Sequence, residues 1–215
     1  MSILVRMKIL ALAISLLSTS AMAQDFTVGV ATDNRSKGVS KSGEQPYAWV
    51  AAEWKFDDVY AGTTFQTIES SSGSNLEATV NTGFRPEVAG FDLNLDVAYK
   101  TQIDTPAGYD ADAWEFTADA SRRFGPVATR VRLQHSPDGI GSSQEWTWVE
   151  GRVGLQIVDR LKGTAALGYR EQASPYTAWN IGATYKLTSN IDLDVRYYDT
   201  DHQDSAIVTS LSLVF

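Results

Sequence analysis

Apolar and polar residues alternate with a period of two along most of this chain, and no other feature constrains its fold as strongly. From Phe91 to Lys100 every odd-numbered residue is apolar, and nearly every even-numbered residue is polar or charged. Residues 114–119, 179–186 and 191–197 repeat this alternation. Because successive side chains of a β-strand point to opposite faces of a sheet, the period indicates strands with one apolar face. The sequence therefore predicts an all-β protein.

The alternation predicts about twelve strands. Several have the ~9–11 residues that a tilted strand needs to cross a lipid bilayer. The count becomes ten or fourteen if residues 26–34 or 144–156 are divided differently. The predicted strands span residues 26–34, 46–56, 59–67, 75–84, 91–101, 112–123, 127–135, 144–156, 161–170, 176–187, 191–199 and 206–215.

The connections alternate between long and short after the first predicted strand. Short connections lie at residues 57–58, 85–90, 124–126, 159–160 and 188–190, and longer ones at residues 35–45, 68–74, 102–111, 136–143, 171–175 and 200–205. Outer-membrane barrels show this asymmetry, with short periplasmic turns and longer extracellular loops. We predict a single antiparallel up-and-down transmembrane β-barrel over residues 24–215. The alternative is a soluble periplasmic barrel or sandwich, which hides its apolar face inside.

The N-terminus has the features of a secretory signal. Arg6 and Lys8 precede an apolar run over residues 9–17, and small residues follow, ending in Ala21-Met22-Ala23. This order is typical of a cleaved signal peptide. The apolar run is too short for a transmembrane helix, which needs roughly 20 apolar residues. We predict cleavage after residue 23 and export to the bacterial outer membrane.

The composition excludes several classes of protein. The chain contains no cysteine, which excludes a lipoprotein anchor, a disulfide scaffold and thiolate metal sites. Its formal net charge of −8 provides no basic footprint for nucleic acid. The sequence has no glycine-rich phosphate loop and no spaced metal-ligand cluster. We therefore predict no cofactor, no metal and no nucleic-acid partner.

Two further features fit a membrane barrel with outer-membrane lipid and lipopolysaccharide as partners. Aromatic residues, which prefer the membrane interface, lie near the strand ends of the predicted apolar face. They are Phe91, Tyr99, Trp114, Trp146, Tyr169, Tyr176, Tyr185 and Tyr197. The chain ends in an alternating strand that closes on Phe215. This ending resembles the terminal strand signal that the barrel-assembly machinery recognises.

The segment from Asp33 to Pro46 resembles the first-loop motif of the TorF-type family of outer-membrane porins. It reads Asp-Asn-Arg-Ser-Lys-Gly-Val-Ser-Lys-Ser-Gly-Glu-Gln-Pro. Trp54, the acidic turn at Asp57-Asp58 and the following Tyr60-Ala61-Gly62 continue the similarity. The resemblance implies an outer-membrane barrel with a porin-like role.

The polar face of the strands carries the charged residues, and we expect it to line the interior. An Arg or Lys facing lipid near the bilayer midplane costs roughly 2–4 kcal/mol. Opposed acids and bases either line a narrow water-filled pore for small hydrophilic solutes or pair off and fill it. The pore-lining candidates are Lys55, Asp92, Asp96, Lys100, Glu115, Asp119, Arg130, Arg132, Glu150, Arg152, Asp192, Asp194 and Arg196.

Two other functions remain open at this stage. One is a non-conducting structural or adhesion barrel, although the loops are short for a surface that captures ligands. The other is an outer-membrane lipid hydrolase that uses His135, at the end of the seventh predicted strand and next to Ser136. Adjacent strand residues point to opposite faces, so these two side chains do not serve each other without a bulge. We therefore predict that the chain is not an enzyme and has no catalytic residues.

Overall fold

A computed structural model describes residues 25–141 and 143–215, and these residues form fifteen strands. The signal peptide predicted for residues 1–23 lies outside the described residues. Within the described ranges no helix is long and apolar enough to cross a membrane. The strands are β1 (Asp25–Ala31), β2 (Arg35–Ser36), β3 (Val39–Ser40), β4 (Tyr47–Phe56), β5 (Val59–Thr67), β6 (Leu76–Phe84), β7 (Glu87–Val88), β8 (Phe91–Ile103), β9 (Asp112–Phe124), β10 (Val127–Ser136), β11 (Trp146–Val158), β12 (Leu161–Glu171), β13 (Tyr176–Lys186), β14 (Ile191–Thr200) and β15 (Ala206–Val214).

The twelve long strands form one closed antiparallel barrel in which each strand pairs with its neighbours along the chain. β6 pairs with β8, and β1 pairs with β15, so the ring of twelve long strands closes on itself. At the closing seam Val28 lies opposite Leu213, and the Phe215 backbone N–H donates to the Phe26 carbonyl at 2.9 Å. Closure pairs the backbone groups that an open edge would expose to hydrocarbon. The predicted twelve-stranded up-and-down barrel is confirmed, and its strand bounds agree within a few residues.

The two faces of the barrel wall have opposite polarity. Apolar side chains point outward and are exposed, among them Val131 at 60% and Ile207 at 69% of their surface. Charged side chains on the alternate positions point inward and are buried, including Glu115, Asp119 and Glu150. A soluble barrel has the reverse arrangement. An apolar outer band around a polar interior is the arrangement of a transmembrane barrel.

The two ends of the barrel differ in their connections. One end, which we call the mouth, carries the loops at residues 32–46, 68–75, 104–111, 137–141 with 143–145, 172–175 and 201–205, and the other carries the short turns. Outward-facing aromatic rings lie near both ends. Tyr99 and Trp114 pack with ring centroids 5.0 Å apart near the mouth, and Arg122 lies over the rings of Phe91 and Phe124 near the short-turn end. Such rings and cations suit the two interfaces of a bilayer.

Candidate functional site

All thirteen predicted pore-lining residues lie on the inward face of the barrel. Side chains two residues apart on a strand point to the same face of the sheet. By this rule and the strand register, each candidate faces the same way as the buried interior residues of its part of the wall, such as Ala98, Ala166 and Ala178. Asp92 and Asp192 lie near the short-turn end, with Asp192 opposite Lys186 in the register. The remaining eleven take part in ion pairs or hydrogen bonds with other interior groups.

The central band of the wall is held by arginine–carboxylate pairs between adjacent strands. Arg132 forms a bidentate pair with Asp119, with N–O distances of 2.7 and 2.8 Å. Arg130 Nη2 lies 2.5 Å from Glu150 Oε1, and Arg152 Nε lies 3.5 Å from the same carboxylate oxygen. One carboxylate therefore serves two guanidinium groups. The Arg130 Nε is buried and has no hydrogen-bond partner among the described residues.

A second charged group lies further round the wall on β13 and β14. Arg196 donates to Asp194 at 3.0 Å and to the Asn180 side-chain oxygen at 2.8 Å. Thr184 donates its hydroxyl to Asp194 at 2.7 Å. These groups fix the arginine against the wall, because its planar donors are held on two sides.

The short-turn end has its own polar cluster. Tyr60 donates its hydroxyl to Asp96 at 2.7 Å, and the Arg85 guanidinium lies 3.6 Å from the centroid of the Tyr60 ring. Arg85 also forms a bidentate pair with Glu53 at 2.8 Å, which raises the pKa of Arg85. Lys55 pairs with Asp25 on the neighbouring strand. The cluster ties a turn to the inner wall at this end.

The first loop, residues 32–46, folds into the mouth instead of projecting from it. Its small hairpin of β2 and β3 turns at Gly38, where a Cβ atom would lie only 2.5 Å from the Cβ of Ala178 on the inner wall. Gly38 has a φ of +83°, so its lack of a side chain serves both the turn and the close approach. Lys41 Nζ donates to both carboxylate oxygens of Glu77, at 2.6 and 2.7 Å. Burial lowers the pKa of Lys41, and the Glu77 carboxylate opposes this shift.

Further contacts fix the hairpin. Arg35 pairs with Asp33 at 2.8 Å and donates to the backbone carbonyl of Asp204 at 2.7 Å. The Ser40 backbone N–H donates to the Gln203 side chain at 2.8 Å. Asp204 and Gln203 belong to the last loop, so the first and last loops of the chain are joined at the mouth.

A buried aromatic cluster lies under the hairpin. Trp146, Trp148, Tyr176 and Ala178 pack together, and Val39 of the hairpin packs against them. The Tyr176 ring stacks on His202 with centroids 4.9 Å apart. The interpretation that Trp146 and Tyr176 belong to the outward aromatic belt is therefore wrong. Both side chains point inward. Trp146 is an even number of residues from the inward Glu150 on β11, and Tyr176 is an even number of residues from the inward Lys186 on β13.

Two cations of the mouth lie over one of these rings. Lys37 Nζ is 4.3 Å and Arg170 Cζ is 4.6 Å from the Trp146 ring centroid. Neither cation forms an ion pair with a carboxylate of residues 25–141 or 143–215. Burial lowers the pKa of the Lys37 ammonium to about 7, with Lys100, Arg170 and Lys41 acting in the same direction and Glu115 against it.

His135 and Ser136 do not form a catalytic pair. His135 faces outward, with its Nδ1 3.0 Å from the Thr147 hydroxyl and its Nε2 4.0 Å from Glu145. Ser136 faces inward and donates to the backbone carbonyl of Asp138 at 2.8 Å. No group of three potential His, Asp or Glu metal ligands occurs in the described part of the chain.

Sequence reasoning missed Lys37 and Lys41 as interior residues. They lie in a loop, where the period-two rule gives no orientation, and their positions depend on contacts with β6 and β11 that are distant in the chain. The resemblance of this loop to a family motif indicates that the loop matters. It does not indicate where the side chains of the loop lie.

Comparison with known proteins identifies relatives by sequence and by fold. A family model described as a bacterial protein of unknown function (Gcw_chp) matches residues 17–213. An uncharacterized outer membrane usher protein of Escherichia coli (strain K12), YbgQ, is 23% identical over 146 residues, which cover 64% of this chain. The match spans only 18% of the length of that protein. The finer assignment to TorF-type porins stays a prediction.

Solved outer-membrane barrels share the fold. The KdgM porin superposes with a TM-score of 0.66 at 8% identity, covering 89% of this chain and 99% of that one. The NanC porin gives a TM-score of 0.61 at 10% identity, covering 88% and 97% of the two chains. An outer membrane channel from Pseudomonas putida F1 gives 0.57 at 11% identity, covering 90% and 95%. At these identities the similarity concerns the fold.

Proposed function

The chain belongs to the Gcw_chp family of bacterial proteins, and we propose that it forms a porin-like channel for passive diffusion of small hydrophilic solutes across the outer membrane. One observation carries this proposal: a closed barrel exposes apolar side chains outside and encloses charged ones inside. The shared fold with solved porins supports it by analogy. In this proposal the thirteen inward residues line the pore.

In this proposal the interior ion pairs run along the wall and leave the axis open. Lys100 pairs with Glu115 at 2.7 Å, and Arg132 pairs with Asp119, in each case between adjacent strands. Arg196 pairs with Asp194 on its own strand. Such pairs lie along the wall and do not bridge the lumen. Barrels of eight strands are filled by side chains and those of sixteen leave a channel, so a twelve-stranded wall with this lining suits a narrow pore.

The same proposal includes the route to the membrane. A signal peptide over residues 1–23 directs export, and the mouth with its long loops faces the outside. The barrel-assembly machinery recognises the C-terminal strand that ends at Phe215. Outer-membrane lipid and lipopolysaccharide surround the apolar band.

Single-channel recording tests this function. The folded barrel is purified from membranes of cells that express the full chain and is added to a planar bilayer in potassium chloride. Reproducible open steps are expected. Silence in the bilayer from protein that migrates as a folded, heat-modifiable barrel would overturn the channel proposal.

One observation favours a second candidate, a non-conducting structural barrel. The first loop occupies the mouth and is tied to the wall by Lys41 and Glu77 and to the last loop by Arg35 and Asp204. A permanently docked loop would close the pore. Replacing residues 35–40 with a short glycine linker separates the two candidates. Conductance that appears only in this variant would favour the closed barrel, whereas conductance in both proteins favours the channel with a constricted mouth.

A further inference from the structure

We propose that the mouth contains a binding site for small organic carboxylates, formed by Lys37 and Arg170 beside the Trp146 ring. This inference deepens the proposed channel function and rests on it for its role in transport. It names the class of solute that the barrel captures before passage. The site consists of a loop residue, a wall residue on β12 and an aromatic ring on β11.

The charges near the mouth are unbalanced. Lys37, Lys41, Lys100 and Arg170 all lie there, but within residues 25–141 and 143–215 only Lys41 and Lys100 form an ion pair with a carboxylate. Lys41 pairs with Glu77, and Lys100 pairs with Glu115 at 2.7 Å. Lys37 and Arg170 instead lie over the ring of Trp146. Two cations that form no ion pair among the described residues make a favourable position for an anion.

Arg170 carries an unsatisfied hydrogen-bond donor. The Nε of Arg170 is buried and has no hydrogen-bond partner in the described part of the chain. Its Nη1 has only a 3.5 Å contact with the Tyr176 hydroxyl. Leaving a buried charged donor unpaired is unfavourable, and a guanidinium presents its N–H groups in a geometry that matches a carboxylate. A carboxylate ligand would supply the missing acceptor.

Aromatic rings lie beside the two cations. Trp146 is only 5% exposed and lies with Trp148 and Tyr176 in one aromatic cluster. His202 adds a further ring stacked on Tyr176. A ligand with a flat apolar body next to its carboxylate can place that body against the exposed ring of His202 while its charge meets the cations. A bare inorganic anion would contact only the two cations of the site.

The interior below the mouth continues the same preference. Arg130 and Arg152 share the single carboxylate of Glu150, and the Arg130 Nε is also unpaired among the described residues. An anion that leaves the mouth therefore meets a second region of the wall in which guanidinium groups outnumber carboxylates. This gives the bound carboxylate a path inward.

The test measures binding of sodium benzoate by calorimetry to the folded barrel purified from membranes of cells that express the full chain. Benzamide, which has the same ring and no charge, is the matched neutral probe. Arg170→Met and Lys37→Met each remove one cation, and Lys162→Met removes an inward cation at the other end of β12. Heat-modifiable migration checks that each variant folds. Because Lys37 lies in a loop, K37M keeps the test informative even if R170M does not fold.

Benzoate is expected to bind at least tenfold more tightly than benzamide, and R170M and K37M are each expected to weaken benzoate binding about tenfold. K162M should bind as the unmodified protein does. Equal binding of the two probes, or benzoate binding that neither variant weakens, would overturn the proposed site. Benzoate binding by a barrel that is silent in the bilayer would support the site while overturning the channel.

Discussion

The ammonium group of Lys41 lies between the two carboxylate oxygens of Glu77, at 2.6 and 2.7 Å, and so joins the first loop to the inner wall of the barrel. Glu77 is 1% exposed, and it also accepts a hydrogen bond from Gln66 at 2.8 Å. The wall carboxylate is therefore held by Gln66 as well as by Lys41. The Lys41–Glu77 pair is one of several contacts that dock the first loop.

We expect Lys41→Met to release the first loop from the mouth. The variant removes a charge-assisted contact that contributes about 2 kcal/mol, while Gln66 still donates to the buried Glu77. Single-channel conductance should rise, and the loop should become sensitive to proteolysis. The double variant Lys41→Met with Glu77→Gln should recover part of the docking, because it leaves no unpaired carboxylate. Unchanged conductance and protease resistance in K41M would show that the other loop contacts suffice.

The orientation of the wall gives a second prediction. Val131 lies in the middle of β10 and is 60% exposed on the outer face. Val131→Arg should lower the free energy of unfolding in lipid vesicles by about 2–4 kcal/mol, because it places a charge in hydrocarbon. The matched control is Ser210→Arg, which faces inward opposite Asp194 and should cost far less. Equal losses in urea titrations of the two variants would contradict the assigned faces.

Most of the wall could be predicted from sequence, because the period-two rule fixes both the strands and their faces. The same rule also contained the information that Trp146 points inward, since it shares parity with Glu150 and Arg152. The preference of aromatic residues for the interface predicts the opposite orientation, which is wrong here because Trp146 packs in the buried cluster under the first loop. The mouth is different. Lys37 and Lys41 are interior because of tertiary contacts of a loop, and no local pattern encodes such contacts.

The closing seam gives a third prediction, which separates assembly in the cell from folding. Phe215 donates its backbone N–H to Phe26, and the two rings lie with centroids 5.7 Å apart. Deletion of Phe215 should reduce the amount of heat-modifiable barrel in cell membranes severalfold, because in the proposed function the assembly machinery recognises the strand that ends at this residue. Refolding of the same variant from urea into detergent should remain efficient. A comparable loss of folded barrel in cells and in detergent would show that Phe215 acts only through its contacts at the closing seam.

The fourth prediction concerns the pH dependence of the mouth site. Burial lowers the pKa of Lys37 to about 7, so its ammonium is charged below this pH and becomes neutral above it. Benzoate stays ionised throughout, and its affinity should therefore fall as the pH rises from about 6 to about 9. Binding near pH 7 should also take up protons, because a bound carboxylate raises the pKa of the lysine. This uptake is measured by calorimetry in buffers that differ in ionisation enthalpy.

Controls for this pH dependence come from the groups that surround Lys37. Glu115, Lys100, Arg170 and Lys41 act on it directly. His202 stacks on Tyr176 in the same mouth, and His202→Asn tests whether it contributes. Lys37→Met should abolish both the fall in affinity and the proton uptake, and H202N should retain them. If H202N instead removes the pH dependence while K37M leaves it, the titrating group of the site is the histidine and not the lysine.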